Sequence, residues 1–230
     1  MFQDLKERVC RANLDLKIHG LVILSWGNVS EIDRKSGVIA IKPSGISYDD
    51  FRPDDVVLVD LDGKVIDGQL NPSSDTPTHL ELYKNFPEIG GVCHTHSPYA
   101  TMWAQAKMEI PCLGTTHGDH FFGRVPVTRE LREEEILNNY ERNTGKVIVE
   151  RLTNLKTLEN PAVLVACHGP FTWGETAKAA VIHALILEEV AKIALGTWAL
   201  NPGSEDISKT LLNKHFLRKH GKNATYGQKK

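Results

Sequence analysis

Gly91-Val92-Cys93-His94-Thr95-His96-Ser97-Pro98 is the stretch on which the fold turns. A short apolar run ends in two histidines two residues apart, and Ser97-Pro98 then opens a helix, with Ser as N-cap and Pro in the first turn. The segment reads as a strand handing over to a helix. Residues two apart on a strand share a face, so His94 and His96 are expected to project together. Two neutral imidazoles on one face form half of a first-row metal site.

Thr76-Pro77 repeats the helix-start device, with Thr as the expected N-cap. Leu5, Val9, Ala12 and Leu16 have the spacing of an amphipathic helix over 2–17. Strands are expected at 21–25, 38–41 and 56–60, and the turn 61–64 should join the last of these to Val65-Ile66 as a hairpin. Further strands are expected at 147–149 and 162–167, with polar loop between them. A long helix is expected over 175–199 and a last one over 207–219. Strands and helices mix without a strict βαβ rhythm. The fold class is therefore α/β: one domain spanning 1–230, three αβα layers, and a largely antiparallel central sheet.

The 230 residues are 41% hydrophobic and 24% charged, with a formal net charge of -2. That balance suggests neither nucleic acid nor a membrane as partner. No apolar run approaches the ~20 residues that span a bilayer, and the N-terminus lacks a signal-peptide design. Cys10, Cys93, Cys112 and Cys167 show no CxxC spacing and read as buried thiols in a reducing cytoplasm. Cys93 and Cys167, each just before a candidate histidine, should face the core.

His168 closes the apolar run 162–167 before Gly169-Pro170, so it also stands at a strand end and is the third ligand candidate. Asp75, in Ser73-Ser74-Asp75-Thr76-Pro77, has two readings. By position alone it belongs to an N-terminal capping cluster. By chemistry it is a metal-site or acid–base carboxylate, with Ser73 and Ser74 donating to a phosphate. Ser25-Trp26-Gly27-Asn28-Val29-Ser30 and Lys42-Pro43-Ser44-Gly45 mix small residues with hydroxyl, amide and ammonium donors, a composition that suits an anion.

These segments occur in order with Gly114-Thr115-Thr116-His117-Gly118-Asp119 and Cys167-His168-Gly169-Pro170-Phe171-Thr172-Trp173-Gly174. From about Leu5 to Gln228 the chain resembles the class II aldolase/adducin family, and within it the sugar-phosphate 4-epimerases. The resemblance implies that His94, His96 and His168 hold Zn2+, replaceable by another divalent ion such as Mn2+, with Asp75 at the same metal site. The sister aldolases carry a glutamate at that position. Gly27, Asn28, Ser44, Gly45, Ser73 and Ser74 match substrate and phosphate contacts, and Asp119 and Tyr226 match the acid–base pair. Residue 120 is a histidine where relatives often carry tyrosine. The resemblance also implies a homo-oligomer, a tetramer, with the tail from about 221 to 230 reaching a neighbouring subunit's site.

The implied reaction interconverts L-ribulose 5-phosphate and D-xylulose 5-phosphate. No carbonyl lies next to C4, so inversion there cannot proceed by simple deprotonation. The C3–C4 bond is β to the C2 ketone, so retro-aldol cleavage and re-addition to the other face of the aldehyde is open. A divalent cation supplies the charge that this cleavage needs. The alternatives are a class II aldolase acting on a ketose 1-phosphate such as L-fuculose or L-rhamnulose 1-phosphate, or a non-catalytic adducin-like module.

Overall fold

The computed structural model describes residues 2–221, 224 and 225. Along the chain come helix α1 (Gln3–Ile18), strands β1 (Asn28–Asp33), β2 (Val38–Ile41), β3 (Val57–Val59) and β4 (Val65–Asp67), and helix α2 (Thr76–Asn85). Strand β5 (Gly91–His94) leads into α3 (Pro98–Ala106), followed by α4 (Thr115–Gly118), α5 (Glu133–Leu137) and α6 (Tyr140–Leu152). Strands β6 (Ala162–Leu164) and β7 (Pro170–Gly174) precede α7 (Ala177–Leu200) and α8 (Lys209–His220). The strands form one seven-stranded sheet in the order β4-β3-β2-β1-β5-β7-β6. Every ladder between named strands is antiparallel, as expected.

Period-two alternation sorts the sheet's side chains into two layers. On one face Ile39, Val57, Val92 and Trp173 pack with Leu82 and Tyr83 of α2 and with Ile148 and Leu152 of α6. On the other, Val29 and Cys93 pack with Leu16 of α1 and with Ala180 and Ala184 of α7. The small residues of α7 let the helix lie close to the sheet, and farther along it Leu187, Ala191 and Ala194 receive Ala100 and Trp103 of α3. This is the expected three-layer arrangement.

Several expectations need correction. Residues 147–149 are not a strand but part of α6. Thr144, Gly145, Val147, Ile148 and Leu152 are its buried positions, a helical stripe that the β-branched residues mask locally. Residues 21–25 form no strand: Ile23 and Leu24 face outward and Leu24 is left-handed at φ 55°. Strand β6 stops at Leu164, because Val165 N–H turns back to the Gly169 carbonyl. Cys167 is consequently exposed, at φ 62°, rather than in the core. Two strands central to the site, β1 and β7, lay outside the expected set. At the start of α2, Thr76 is inside the helix, and its hydroxyl donates to the Ser73 carbonyl at 2.6 Å.

Candidate metal centre

His94 ends β5, where it is flanked in register by Asn28 of β1 and Phe171 of β7. Its ring stacks on Phe171 at a centroid distance of 4.2 Å. Its Nδ1 lies 2.9 Å from the Pro170 carbonyl, an oxygen that can only accept, so Nδ1 carries the proton and Nε2 keeps its lone pair. His96 lies just past the strand. The turn that holds it is anchored at the start of α3, where the buried Glu188 carboxylate accepts from Tyr99 N–H at 2.8 Å and Ala100 N–H at 2.9 Å. His168 comes from the turn between β6 and β7.

The three rings converge. Centroids are 4.8 Å apart for His94–His96 and His94–His168, and 5.1 Å for His96–His168. One nitrogen from each lies within 4.8 Å of the others, and the Nε2 atoms of His94 and His96 are 3.0 Å apart. Burial and the neighbouring imidazoles push His96 down to about 4 and His168 down to about 3, so both are neutral at ordinary pH. Three converging imidazoles, one with its Nδ1 held by a carbonyl, are a donor set that fits a divalent first-row cation.

Asp75 does not cap α2, because its side chain makes no bond to the helix N–H groups. Its carboxylate instead accepts from the Asn28 amide at 2.6 Å. Burial works to raise its pKa, but His94, His79 and the Asn28 hydrogen bond outweigh that and hold it below the ordinary carboxylate value. Asp75 lines the same pocket as the histidines, but the group of converging ligand atoms comprises only the three rings among the described residues.

That pocket has a volume of about 570 Å³, and its walls include Gly27, Asn28, Ser44, Gly45, Ser73 and Ser74. Every residue expected to contact substrate is therefore at this one site. Gly27 is required there, since at φ 77° a Cβ would come within 2.8 Å of the His94 carbonyl. Beneath Ser44 and Gly45 lies the buried Lys42, whose ammonium donates to the Ile46 carbonyl at 2.8 Å and sits 4.8 Å from the Tyr48 ring centre. Burial pushes Lys42 down to about 8. Tyr140 and Glu141 also line the pocket, and the Tyr140 hydroxyl lies 3.4 Å from His168 Nδ1. Neither was expected from sequence, and the helical stripe of α6 was the signal that could have placed them.

Asp119 does not line this pocket within one chain. It follows α4 and is held by α8, 3.0 Å from His215 Nδ1 and 2.9 Å from an Arg218 amino group. Burial works to raise its pKa, but these bonds and Lys219 outweigh it and keep the carboxylate low. Tyr226 lies outside the described residues.

The chain is 56% identical over 227 residues to the L-ribulose-5-phosphate 4-epimerase UlaF of Salmonella paratyphi A, covering 99% of this chain and 100% of that protein. The protein of the same name from Salmonella typhi gives the same figures. Among solved structures, an L-fuculose 1-phosphate aldolase superposes with a TM-score of 0.77 at 24% identity, covering 92% of this chain and 94% of that one. An L-fuculose 1-phosphate aldolase from Glaciozyma antarctica PI12 gives 0.75 at 20% identity, covering 93% and 80%. At these identities the two structures speak for the fold. The family model described as the Class II Aldolase and Adducin N-terminal domain matches residues 7–195, and the chain belongs to the class II aldolase/adducin family.

Proposed function

We propose that this protein is a divalent-metal-dependent L-ribulose-5-phosphate 4-epimerase, an isomerase that inverts C4 by breaking and remaking the C3–C4 bond. The observation that carries the reading is the full-length 56% identity to an epimerase, together with three converging imidazoles set beside Asp75 in one pocket. An ion held by His94, His96 and His168, Zn2+ by preference and Mn2+ as a substitute, supplies Lewis-acid charge where negative charge develops on the ketone side.

The remaining work falls to the protein's own groups. Ser44, Gly45, Ser73 and Ser74 take the phosphate with hydroxyl and backbone donors, and Lys42 lends positive charge from below. Holding the phosphate keeps the cleaved aldehyde in place while it rotates. Gly27 and Asn28 bound the reacting end of the substrate, and Asp75 stands beside the metal ligands as the nearby carboxylate. Asp119, ionised by its bonds to α8, is the acid–base group on one side of C4, and Tyr226 is the group on the other.

Asp119 does not line its own chain's pocket, so in this reading both groups serve the pocket of a neighbouring copy. The assembly is a homotetramer with sites at subunit interfaces, and the tail from about 221 to 230 is the segment that crosses. The single domain 1–230 acts in the cytoplasm. Among the described residues no helix is long and apolar enough to cross a membrane.

The deciding experiment follows conversion of L-ribulose 5-phosphate to D-xylulose 5-phosphate with and without a chelator. Conversion that stops with the chelator and returns with zinc supports the reading. Net release of aldehyde from a ketose 1-phosphate, without C4 inversion, replaces it with an aldolase.

A further inference from the structure

Strand β1 and helix α2 meet rung for rung. Asn28 and Ser30, two apart on the strand, share its face, at a spacing of about 6.7 Å. Asp75 and His79, four apart, share a helix face at a spacing of about 6 Å. The His79 N–H donates to the Asp75 carbonyl at 3.2 Å, which confirms that one turn separates them. One rung is the Asn28–Asp75 bond of 2.6 Å, and the other joins Ser30 Oγ to His79 Nδ1 at 2.7 Å. Both matched spacings allow the rungs to form without strain.

Two polar atoms on these rungs are buried without a partner among the described residues: Asn28 Oδ1 and His79 Nε2. Their chemistry follows from their neighbours. The Asp75 carboxylate can only accept, so the Asn28 amide must present Nδ2 to it, leaving Oδ1 as an acceptor. Ser30 Oγ also lies 2.8 Å from the Tyr83 hydroxyl. One arrangement gives both hydroxyl protons an acceptor: Tyr83 O–H donates to Ser30 Oγ, and Ser30 O–H donates to His79 Nδ1. His79 then carries its own proton on Nε2. The orphans are therefore one donor and one acceptor, and buried polar atoms left in that state cost more than a made bond returns.

We propose that His79 is a positioning residue for Asp75: Tyr83 and Ser30 hold it as the Nε2–H tautomer, and an enclosed water accepts from that N–H and donates to Asn28 Oδ1. The water fixes the plane of the Asn28 amide and so keeps Nδ2 on the carboxylate. Two polar partners meet the minimum for an enclosed water. His79 touches no substrate and acts only through Asn28 and Asp75.

Nuclear magnetic resonance of the protein labelled with 15N histidine, metal-free and zinc-loaded, reads the tautomer directly. His79 is expected as Nε2–H in both, and Y83F is expected to move it toward Nδ1–H. A native Nδ1–H signal overturns the proposal. This measurement needs no substrate, so it stands or fails apart from the epimerase reading. With L-ribulose 5-phosphate as substrate, H79Q places an amide donor at the Nε2 position, whereas H79N places it at the Nδ1 position. H79Q is expected to retain most of kcat, and H79N to lose about tenfold with KM and zinc content unchanged. Equal losses in the two variants overturn the proposal, and should neither fold, the native tautomer decides alone.

Discussion

His94 and Asn28 stand directly opposite one another in the β1–β5 ladder, so one rung of the sheet carries both an imidazole of the three-histidine cluster and the amide that grips Asp75. The geometry of the imidazoles and that of the carboxylate are thus set by the same register. A slip of one residue in either strand would turn that strand's side chain to the α7 face.

N28D tests this coupling. It replaces an amide donor with a second carboxylate at a position 2.6 Å from Asp75, and one of the two must then take up a proton near neutral pH. Turnover should fall by about 10–100-fold while zinc content, measured by atomic absorption, stays near the native level.

Gly27 and Gly45 form a matched pair for measuring close approach. Both have positive φ, at 77° and 73°, but a Cβ on Gly27 would meet the His94 carbonyl at 2.8 Å, whereas nothing lies within 4 Å of one on Gly45. G45A should cost about 1 kcal/mol of backbone strain, read from urea unfolding. G27A should cost more, about 2–4 kcal/mol, and on the proposed function should also weaken zinc binding because the displaced backbone is that of His94.

Glu188 holds the start of α3 from α7, and through it the turn that carries His96. E188A strips the Tyr99 and Ala100 N–H groups of their acceptor, at a cost of about 2–4 kcal/mol. Zinc affinity, measured by competition with a chromophoric chelator, should fall by about 10–100-fold although no ligand is changed. A purely local loss of stability, with unaltered affinity, would count against this anchoring role.

The metal and acid–base groups should separate cleanly. H96N should remove both bound zinc and turnover, because two imidazoles are left of three. Y226F should leave zinc bound while slowing C4 inversion, and a normal rate in that variant would exclude Tyr226 from the chemistry.

Acid should destabilise the fold through its buried neutral histidines. Burial pushes His79 down to about 3 and His117 down to about 4. The unfolded chain, with histidines near 6.5, then binds more protons below that pH, so stability falls as pH falls. Each imidazole contributes a loss of about 1.4 kcal/mol per pH unit below 6.5, or roughly 3 kcal/mol by pH 4. Urea midpoints in the presence of chelator should therefore drop steadily from pH 7 to pH 5. A flat profile would contradict the burial of these rings.

Local pattern was enough for much of the architecture. Apolar spacing placed α1, α7 and α8, the turn at 61–64 placed the β3–β4 hairpin, and Ser97-Pro98 placed the strand-to-helix handover. His94 and His96 were legible as a pair because alternation along a strand is a property of the chain itself. The ordered motifs extended that reading to His168 and to the turns at 25–30 and 42–45.

Partners across the fold were not legible in the same way. Whether Asp75 capped its helix or turned into the pocket depended on Asn28, 47 positions away, offering a stronger bond than the helix N–H groups. Tyr140 and Glu141 reach the pocket only because α6 packs on α2, and Asp119 leaves it because α8 holds it elsewhere. Residue types and local periodicity belong to the chain itself, and they gave most of the elements and the pairing of His94 with His96. Tertiary structure alone decided which polar atoms face each other, since a hydrogen bond between distant segments depends on sheet register and helix packing, and no short window of sequence carries either.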